Sequence, residues 1–415
     1  MFVEIISLIF LVTSIFFIIE ILVQRSVHRT RKNFPWLITS KDELPFLSES
    51  GLKKFIPNGF DPELGWVRKP LTSNQENGKN GSTSWNINKN GARTNPSFEK
   101  LTSKISCYGD SFTFSRQVND DETWAHYLSK STNSNVLNFG VGNYGIDQSF
   151  LRLKREFPKN KTELVIIAVV PETICRILSM WKHYYEYGNT FAFKPKFIFK
   201  NEQLSQIENP INDESKFPQY EKYIDFIQKN DYFYQNKFLK EKISFPYCIS
   251  ILKNYKRNFG IISWQKKIDD RKKNNENFSD IEWNSMSIIM DINMSWKIKL
   301  FKDKSTCTLL KLILLEYVNF SKKMNFKPIF IFLPQKDDLI FIKTNYHFFK
   351  NFYEELKSID DLIVIDIIDE LLSESRLNDL YSDENNYGGH FSNYGNQIVS
   401  NHIFIKLKNL NLLNI

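Results

Sequence analysis

Two short motifs, far apart in the chain, carry side chains that could act together on an acyl carbon. Gly109-Asp110-Ser111 directly follows an apolar run at 105–108, and His390 opens a polar motif near the C-terminus. A serine hydroxyl is a poor nucleophile at neutral pH, but it becomes reactive when an imidazole accepts its proton. We therefore identify Ser111 as the candidate nucleophile and His390 as the candidate general base.

An alternation of strands and helices must bring these two side chains together. Strand patterns fall at 105–108, 136–141, 164–170, 329–333 and 362–368, and helix patterns at 123–130, 148–156, 309–323 and 394–408. Strands separated by helices predict a parallel, doubly wound sheet in an α/β fold. Ser111 would then project from the carboxyl end of a strand, where such sheets bind ligands.

The motifs also occur in a recognisable order. Tyr108-Gly109-Asp110-Ser111 comes first, Gly140-Val141-Gly142-Asn143 follows the second strand, and Gly388-Gly389-His390 comes late. In these residues and their order, the chain resembles the SGNH/GDSL hydrolase superfamily from about position 61 to the C-terminus. The resemblance implies a flavodoxin-like arrangement of five parallel strands, the SGNH hydrolase fold, and chemistry through an acyl-serine intermediate. The sequence has no metal-ligand cluster and no phosphate-binding loop, so no cofactor and no metal are expected.

Supporting roles follow from the same resemblance. Asp110 would shape the turn that presents Ser111. The backbone N–H groups of Ser111 and of Gly142 or Asn143 would stabilise the oxyanion, and removing one such donor costs about 3–4 kcal/mol.

The chain departs from the family pattern at two places. The family has an Asn donor after the third strand, where this chain has Thr173, whose hydroxyl is the nearest substitute. The family also has Asp three residues before the histidine, where this chain has Tyr387. Asp383 or Glu384 could orient the imidazole instead, or the site could work as a Ser–His dyad.

The N-terminus predicts a membrane anchor. Residues 5–23 are almost wholly apolar, long enough to span a bilayer as a helix, with Glu20 near one end. Basic residues follow the run, whereas a cleaved signal usually begins with them, so a retained single-pass anchor is favoured. The basic flank favours a cytoplasmic catalytic domain, while the resemblance favours the opposite side, and the sequence leaves the side open.

Domain boundaries follow from these patterns. We expect the transmembrane anchor at 1–24, a linker without sustained periodicity at 25–58 and a small β lead-in at 59–100, with a turn at Asn90-Gly91. The α/β domain would comprise 101–173 and 306–415, separated by a mostly helical, aromatic-rich insertion at 174–305.

Bulk composition argues against other classes. The 415 residues carry a formal net charge of only +8, spread along the chain, so a nucleic-acid partner is not expected. The four cysteines have no paired spacing, which argues against a disulfide framework or a zinc site.

The motifs and the resemblance together predict an ester hydrolase or O-acyltransferase. The resemblance implies the substrate class, an acylated small molecule, carbohydrate or envelope glycan. The alternative is a catalytically weak or inactive glycan-binding or assembly protein on the same fold. If His390 is the base, activity should fall as the pH falls through about 6.5, the ordinary histidine pKa.

Overall fold

A computed structural model describes residues 2–78, 81–200, 203–277, 279–383 and 389–413. In these ranges the strands are, in chain order, β1 (Phe60–Asp61), β2 (Gly65–Trp66), β3 (Ser73–Gly78), β4 (Gly81–Asn86), β5 (Ser103–Gly109), β6 (Asn135–Asn138), β7 (Leu164–Val169), β8 (Lys196–Lys200), β9 (Gln203–Ile207), β10 (Lys327–Phe332) and β11 (Ile363–Ile365).

The α-helices of the same ranges are α1 (Phe2–Arg31), α2 (Glu49–Asn58), α3 (Ser111–Phe114), α4 (Trp124–Thr132), α5 (Ile146–Glu156), α6 (Thr173–Arg176), α7 (Lys182–Tyr185), α8 (Ile224–Asn230), α9 (Leu239–Glu241), α10 (Tyr247–Lys253), α11 (Tyr255–Lys273), α12 (Ser279–Phe301), α13 (Lys304–Met324), α14 (Lys336–Thr344), α15 (Lys350–Lys357), α16 (Ile368–Ser373) and α17 (Asn393–Asn409). Short 3₁₀ segments lie at Ser40–Asp42, Asp120–Glu122, Glu214–Tyr223 and Leu377–Leu380, and a π-helical turn lies at Tyr234–Phe238.

A five-stranded sheet organises the described residues, with strand order β11-β10-β7-β5-β6 and every neighbouring pair parallel. Numbered along the chain, these strands read 2-1-3-4-5 across the sheet, the flavodoxin-like order. All six residues of β7 are buried, as expected for a central strand covered on both faces. The predicted doubly wound parallel sheet is confirmed.

Two strand boundaries differ from the sequence prediction. β6 ends at Asn138, although the N–H groups of Phe139 and Val141 still donate to carbonyls of β5 and its end, at 2.8 and 2.9 Å. The last strand was expected at 362–368 but stops at Ile365, because the Asp366 carboxylate accepts the Ile368 N–H at 3.0 Å and starts α16.

The predicted lead-in contains small antiparallel sheets, β1–β2 and β3–β4. The turn expected at Asn90-Gly91 is confirmed: Ile87 bridges Arg93, and Gly91 has a φ of +81°. Arg93 continues from this turn into a bridge with Asn138 at the end of β6. The lead-in thereby carries a buried arginine to the edge of the main sheet.

The predicted linker at 25–58 is more regular than the sequence suggested. The helix of the apolar run continues to Arg31, whose guanidinium pairs with Asp42 at 2.6 Å, and α2 fills Glu49–Asn58. Weak periodicity did not reveal these helices because tertiary contacts, such as the burial of Val27 and Thr30, stabilise the last turns of α1.

The chain divides into two compact units. One comprises Met1–Ser48, Trp181–Ala192 and Glu221–Ile292, with an apolar core that includes Val27, Phe34 and Ile261. The other comprises Glu49–Met180, Phe193–Tyr220 and Asn293–Ile415 and contains the parallel sheet. The predicted domain boundaries stay predictions.

Candidate active site

A tight turn at the carboxyl end of β5 presents Ser111. β5 ends at Gly109, and Ser111 is the first residue of α3. A Cβ on Gly109 would stand 1.8 Å from the Ala168 carbonyl oxygen of the neighbouring strand, so the close approach requires glycine there. Ser111 therefore occupies the strand-to-helix position that the sequence predicted.

Asp110 fixes this turn. Its buried carboxylate accepts the N–H groups of Phe112 and Val170, both at 2.8 Å, and lies 3.3 Å from the Arg176 guanidinium. Burial raises the pKa of Asp110, while Arg176 and the two N–H donors oppose the rise. With both oxygens committed to the N-cap and the neighbouring strand, Asp110 is suited to holding the turn and not to moving protons.

The glycine-rich block lies against Ser111. A Cβ built on Gly142 would stand 3.9 Å from the Ser111 Cβ, and the Trp66 indole N–H donates to the Gly142 carbonyl at 2.9 Å. In the described ranges, the N–H groups of Ser111, Gly142 and Asn143 donate to no protein acceptor. These backbone donors are available to an oxyanion, as an acyl-transfer site requires.

Thr173 caps the first turn of α5. Its side chain is fully buried, and its hydroxyl oxygen accepts the Ile146 N–H at 2.8 Å, at the start of α5. The hydroxyl thus satisfies an otherwise unpaired N–H at a helix N-terminus. The role of Thr173 as a third oxyanion donor stays a prediction.

His390 lies beside the residue that follows the candidate nucleophile. Its ring centroid is 5.0 Å from that of Phe112, and Phe391 packs edge-on against the same phenyl ring at 4.9 Å. Within the described residues, neither the Ser111 hydroxyl nor His390 Nε2 makes a hydrogen bond. The fold brings the two blocks together, while direct Ser111–His390 contact stays a prediction.

Gln117 orients the His390 imidazole. Its Oε1 lies 2.8 Å from the backbone N of His390 and 2.8 Å from His390 Nδ1. Because a backbone N–H can only donate, the amide atom that faces it must be the oxygen, which fixes the orientation of the amide. The same oxygen can only accept from Nδ1. Nδ1 therefore carries the ring proton, and Nε2 keeps its lone pair for the substrate side.

The loop that carries Gln117 is held by Arg93. The buried Arg93 guanidinium donates to the carbonyls of Phe114, Ser115 and Val118 at 2.6–2.7 Å, and it pairs with Asp120 at 2.7 Å. These bonds stabilise a loop in which Ser115 and Gln117 both have positive φ, at 59° and 70°.

Asp383, one of the two candidate orienting carboxylates, does not bond to the ring. Asp383 and Gln117 both lie close to Gly389. If Gly389 had a Cβ atom, that atom would be 2.5 Å from Asp383 Oδ2 and 2.8 Å from Gln117 Oε1, which is too close for either group. Gly389, with a φ of +65°, leaves room for both groups beside His390. Glu384 and Tyr387 lie outside the described residues.

The electrostatic environment of His390 differs from the sequence expectation. Burial, together with the positive charges of Arg116, Arg176 and Arg68, lowers the pKa of His390 to about 3. Its Nδ1 partner is a neutral amide and brings no opposing negative charge. The expected decline of activity through pH 6.5 is therefore replaced by the expectation of a base that stays neutral to much lower pH.

Sequence reasoning missed Gln117, Arg93 and Trp66. Gln117 lies in a loop without a motif, and its contact with His390 joins residues 273 positions apart. Two features of the sequence could have pointed to Gln117 as the partner of His390. Gln117 lies close to Ser111 in the chain, and Tyr387 stands where the family has the aspartate that orients the histidine. No cluster of three or more His, Cys, Asp or Glu in the described ranges could hold a metal ion.

Among known proteins, the chain is similar to solved structures but to no family model or curated protein. Similar solved structures include a G-D-S-L family protein from Desulfitobacterium hafniense DCB-2, at 13% identity and a TM-score of 0.32, over 73% of this chain and 98% of that one.

Two further structures have similar scores. An acetyl xylan esterase matches at 8% identity and a TM-score of 0.36, over 73% of this chain and 99% of that one. A lipase/acylhydrolase from Enterococcus faecalis matches at 12% identity and a TM-score of 0.34, over 74% and 96%. At these TM-scores the similarity says nothing about the activity of this chain. The proposed activity therefore depends on the geometry of the site.

Proposed function

We propose that the chain is a serine acyl hydrolase or O-acyltransferase. The observation that carries the proposal is the bond from His390 Nδ1 to Gln117, which leaves Nε2 as a proton acceptor beside the turn that presents Ser111. The N–H groups of Ser111, Gly142 and Asn143, which have no acceptor among the described residues, provide the second requirement, a place for the oxyanion.

The reaction begins when the Ser111 hydroxyl attacks the acyl carbon and His390 Nε2 takes its proton. The N–H groups of Ser111 and of Gly142 or Asn143 stabilise the tetrahedral oxyanion. Its collapse expels the alcohol, which receives the proton from His390, and leaves an acyl-serine. Water completes a hydrolysis, whereas a sugar hydroxyl completes a transfer. An acylated carbohydrate or envelope glycan is the substrate class that the family resemblance suggests.

Turnover of a neutral acetyl ester tests the proposal. Ser111→Ala should lower turnover by about 10⁶-fold, the scale on which a serine hydrolase loses kcat when its nucleophile is removed. Ser131→Ala, at an exposed position of α4, is the matched control and should leave the rate unchanged. Equal rates for Ser111→Ala and the unaltered protein, with both folded by circular dichroism, would remove Ser111 from the mechanism.

A non-catalytic glycan-binding or assembly protein is the second candidate. Two observations favour it: Thr173 caps α5, and a neutral amide stands where an orienting carboxylate would raise the basicity of the ring. This candidate predicts no ester turnover above the Ser111→Ala background.

The proposal includes a membrane anchor. The helix Phe2–Arg31 has a mean hydropathy of 2.8 over its most apolar window, and only 6% of that window is buried. Such a surface is unfavourable in water and is matched by the hydrocarbon core of a bilayer. A retained single-pass helix is proposed over a cleaved signal because the basic residues follow the apolar run.

A further inference from the structure

Large apolar side chains are exposed on the helices that pack against α1. On α10, α11 and the residues just before them, Phe245, Ile249, Leu252, Tyr255 and Phe259 have exposed fractions of 49–59%. The inward sides of the same elements carry apolar residues (Ile251, Ile261 and Ile268) as well as polar ones (Ser250, Arg257 and Asn258), all buried. The helices are therefore apolar toward the core and also on the exposed side, and a large exposed apolar surface marks an interaction site. We call these five exposed side chains the apolar face.

The apolar face is continuous with α1. The Phe245 ring centroid lies 6.3 Å from that of Phe16, and the Gln24 amide donates to the Tyr247 hydroxyl at 3.3 Å. The start of α10 therefore lies beside the end of the apolar run, at Glu20 and Gln24, while Phe245, just before α10, lies beside Phe16 within the run. Whatever medium surrounds this part of α1 must also contact the apolar face.

Glu20, within the apolar run of α1, also contacts α10. Its buried carboxylate accepts the backbone N–H groups of Tyr247 and Cys248, the latter at 2.9 Å, at the start of α10. A carboxylate within an apolar run is costly in a bilayer unless it is paired inside the protein. These contacts satisfy it and also satisfy N–H groups that the helix start leaves without intrahelical partners.

The depth of α10 follows from helix geometry. Basic residues from Arg25 to Lys32 follow the apolar run, and Phe16 precedes Arg25 by roughly 13 Å at about 1.5 Å per residue. If these basic residues lie at the level of the lipid headgroups, Phe16 lies deeper, among the acyl chains. Phe245, which contacts Phe16, then lies at the same depth. Lys253 and Lys256 on α10 and α11 are exposed, as a helix lying at an anionic surface would require.

We propose that α10 and the start of α11 are embedded in one leaflet of a lipid bilayer through the apolar face, with anionic lipids at their basic residues. The partner is the lipid surface itself, and the proposal rests on α1 as the membrane anchor. The chain would thus hold its membrane at two elements: a spanning helix and an interfacial helix that lies about 5–10 Å deep. This attachment is independent of the Ser111 chemistry.

Nitroxide labels on the full-length chain test this proposal. The chain would carry Cys248→Ser and Cys307→Ser, retain the two buried cysteines, and be reconstituted in vesicles of phosphatidylcholine and phosphatidylglycerol. For each label, the measured quantity is the ratio of its accessibility to oxygen over its accessibility to a water-soluble nickel chelate. This ratio should be several-fold higher for a label at Leu252→Cys than for a label at Lys229→Cys, an exposed position of α8. A label at Phe259→Cys should agree with the one at Leu252→Cys.

Each alternative result is decisive. Leu252 and Lys229 labels with the same water accessibility would overturn the proposal. A Leu252 label shielded from both oxygen and nickel would place the apolar face against protein, either a second copy or another chain, and would also overturn it. A label at Ile9→Cys in α1 separates the two premises: lipid contact at Ile9 without contact at Leu252 keeps the anchor and rejects the embedded face.

Discussion

At the scale of single residues, the site depends on a glutamine where the family resemblance implies a carboxylate. The Gln117 oxygen accepts from His390 twice and from the Ser382 hydroxyl at 2.9 Å, so it fixes the position and the tautomer of the ring. The neutral amide of Gln117 holds the imidazole in place but adds no negative charge that would stabilise the imidazolium. We therefore expect tautomer control to be kept while the basicity of the imidazole is reduced.

The pH dependence of the unaltered protein reports this difference. Because burial and three arginines lower the pKa of His390 to about 3, the base is neutral at every pH well above that value. Ester turnover should therefore show no loss from histidine protonation between pH 8 and pH 5. A rate that falls by half near pH 6.5 and tenfold per further unit would contradict the lowered pKa.

Gln117→Glu should move the acid limb of the pH profile. The new carboxylate would lie beside Nδ1, where Arg116, Arg176 and Arg68 favour its ionised form, and its negative charge would favour the imidazolium. The pKa of His390 should rise, and the acid limb of kcat/KM should move toward neutral pH. Gln397→Glu, on the exposed surface of α17, is the matched control and should leave the profile unchanged. An unaltered limb in Gln117→Glu would mean that Gln117 only fills space.

At the scale of elements, the lead-in stabilises the loop that carries Gln117 through Arg93. The Arg93–Asp120 pair is almost completely buried, with side-chain exposures of 1% and 8%. Removing one partner of such a pair leaves an uncompensated buried charge. The lead-in is thus a structural part of the site and more than a cover for the edge of the sheet.

Arg93→Met should be strongly destabilising. Losing one side of a buried pair costs about 3–5 kcal/mol, whereas losing an exposed pair costs about 0–1 kcal/mol. Lys357→Met, which removes an exposed pair with Glu354, is the matched control. Urea unfolding, followed separately by fluorescence and circular dichroism, measures both variants. Equal midpoints for the two would show that Arg93 does not hold the loop.

The elements show what sequence could predict. Apolar runs and turn residues placed β5, β6, β7 and β10, because burial on both faces imposes a strong local pattern, while the order of the strands came from the family resemblance. The partner of His390 could not be predicted, because it depends on a loop with two positive φ values held by an arginine from another segment. The helices within 25–58 were missed for the same reason, since tertiary contacts, and not local periodicity, stabilise them.

At the scale of the whole molecule, α1 should keep the chain in the membrane. Carbonate washing should leave the unaltered protein in the membrane pellet, because an apolar helix of this length partitions into hydrocarbon. Ile9→Lys combined with Val12→Lys adds two charges near the middle of the run, each costing about 2.5–3.5 kcal/mol on insertion, and should release part of the protein. Lys229→Glu is the control. Release of the unaltered protein by carbonate would contradict the anchor.

For the whole molecule, the proposed function requires that Ser111, at the end of β5, is activated by His390 near the C-terminus. Reaction with a fluorophosphonate, read by intact mass and peptide mapping, tests it most directly. We predict a single adduct on Ser111, absent from Ser111→Ala and much slower to form in His390→Ala. A folded protein that forms no adduct, or forms one at another residue while Ser111 stays unmodified, would contradict the claim.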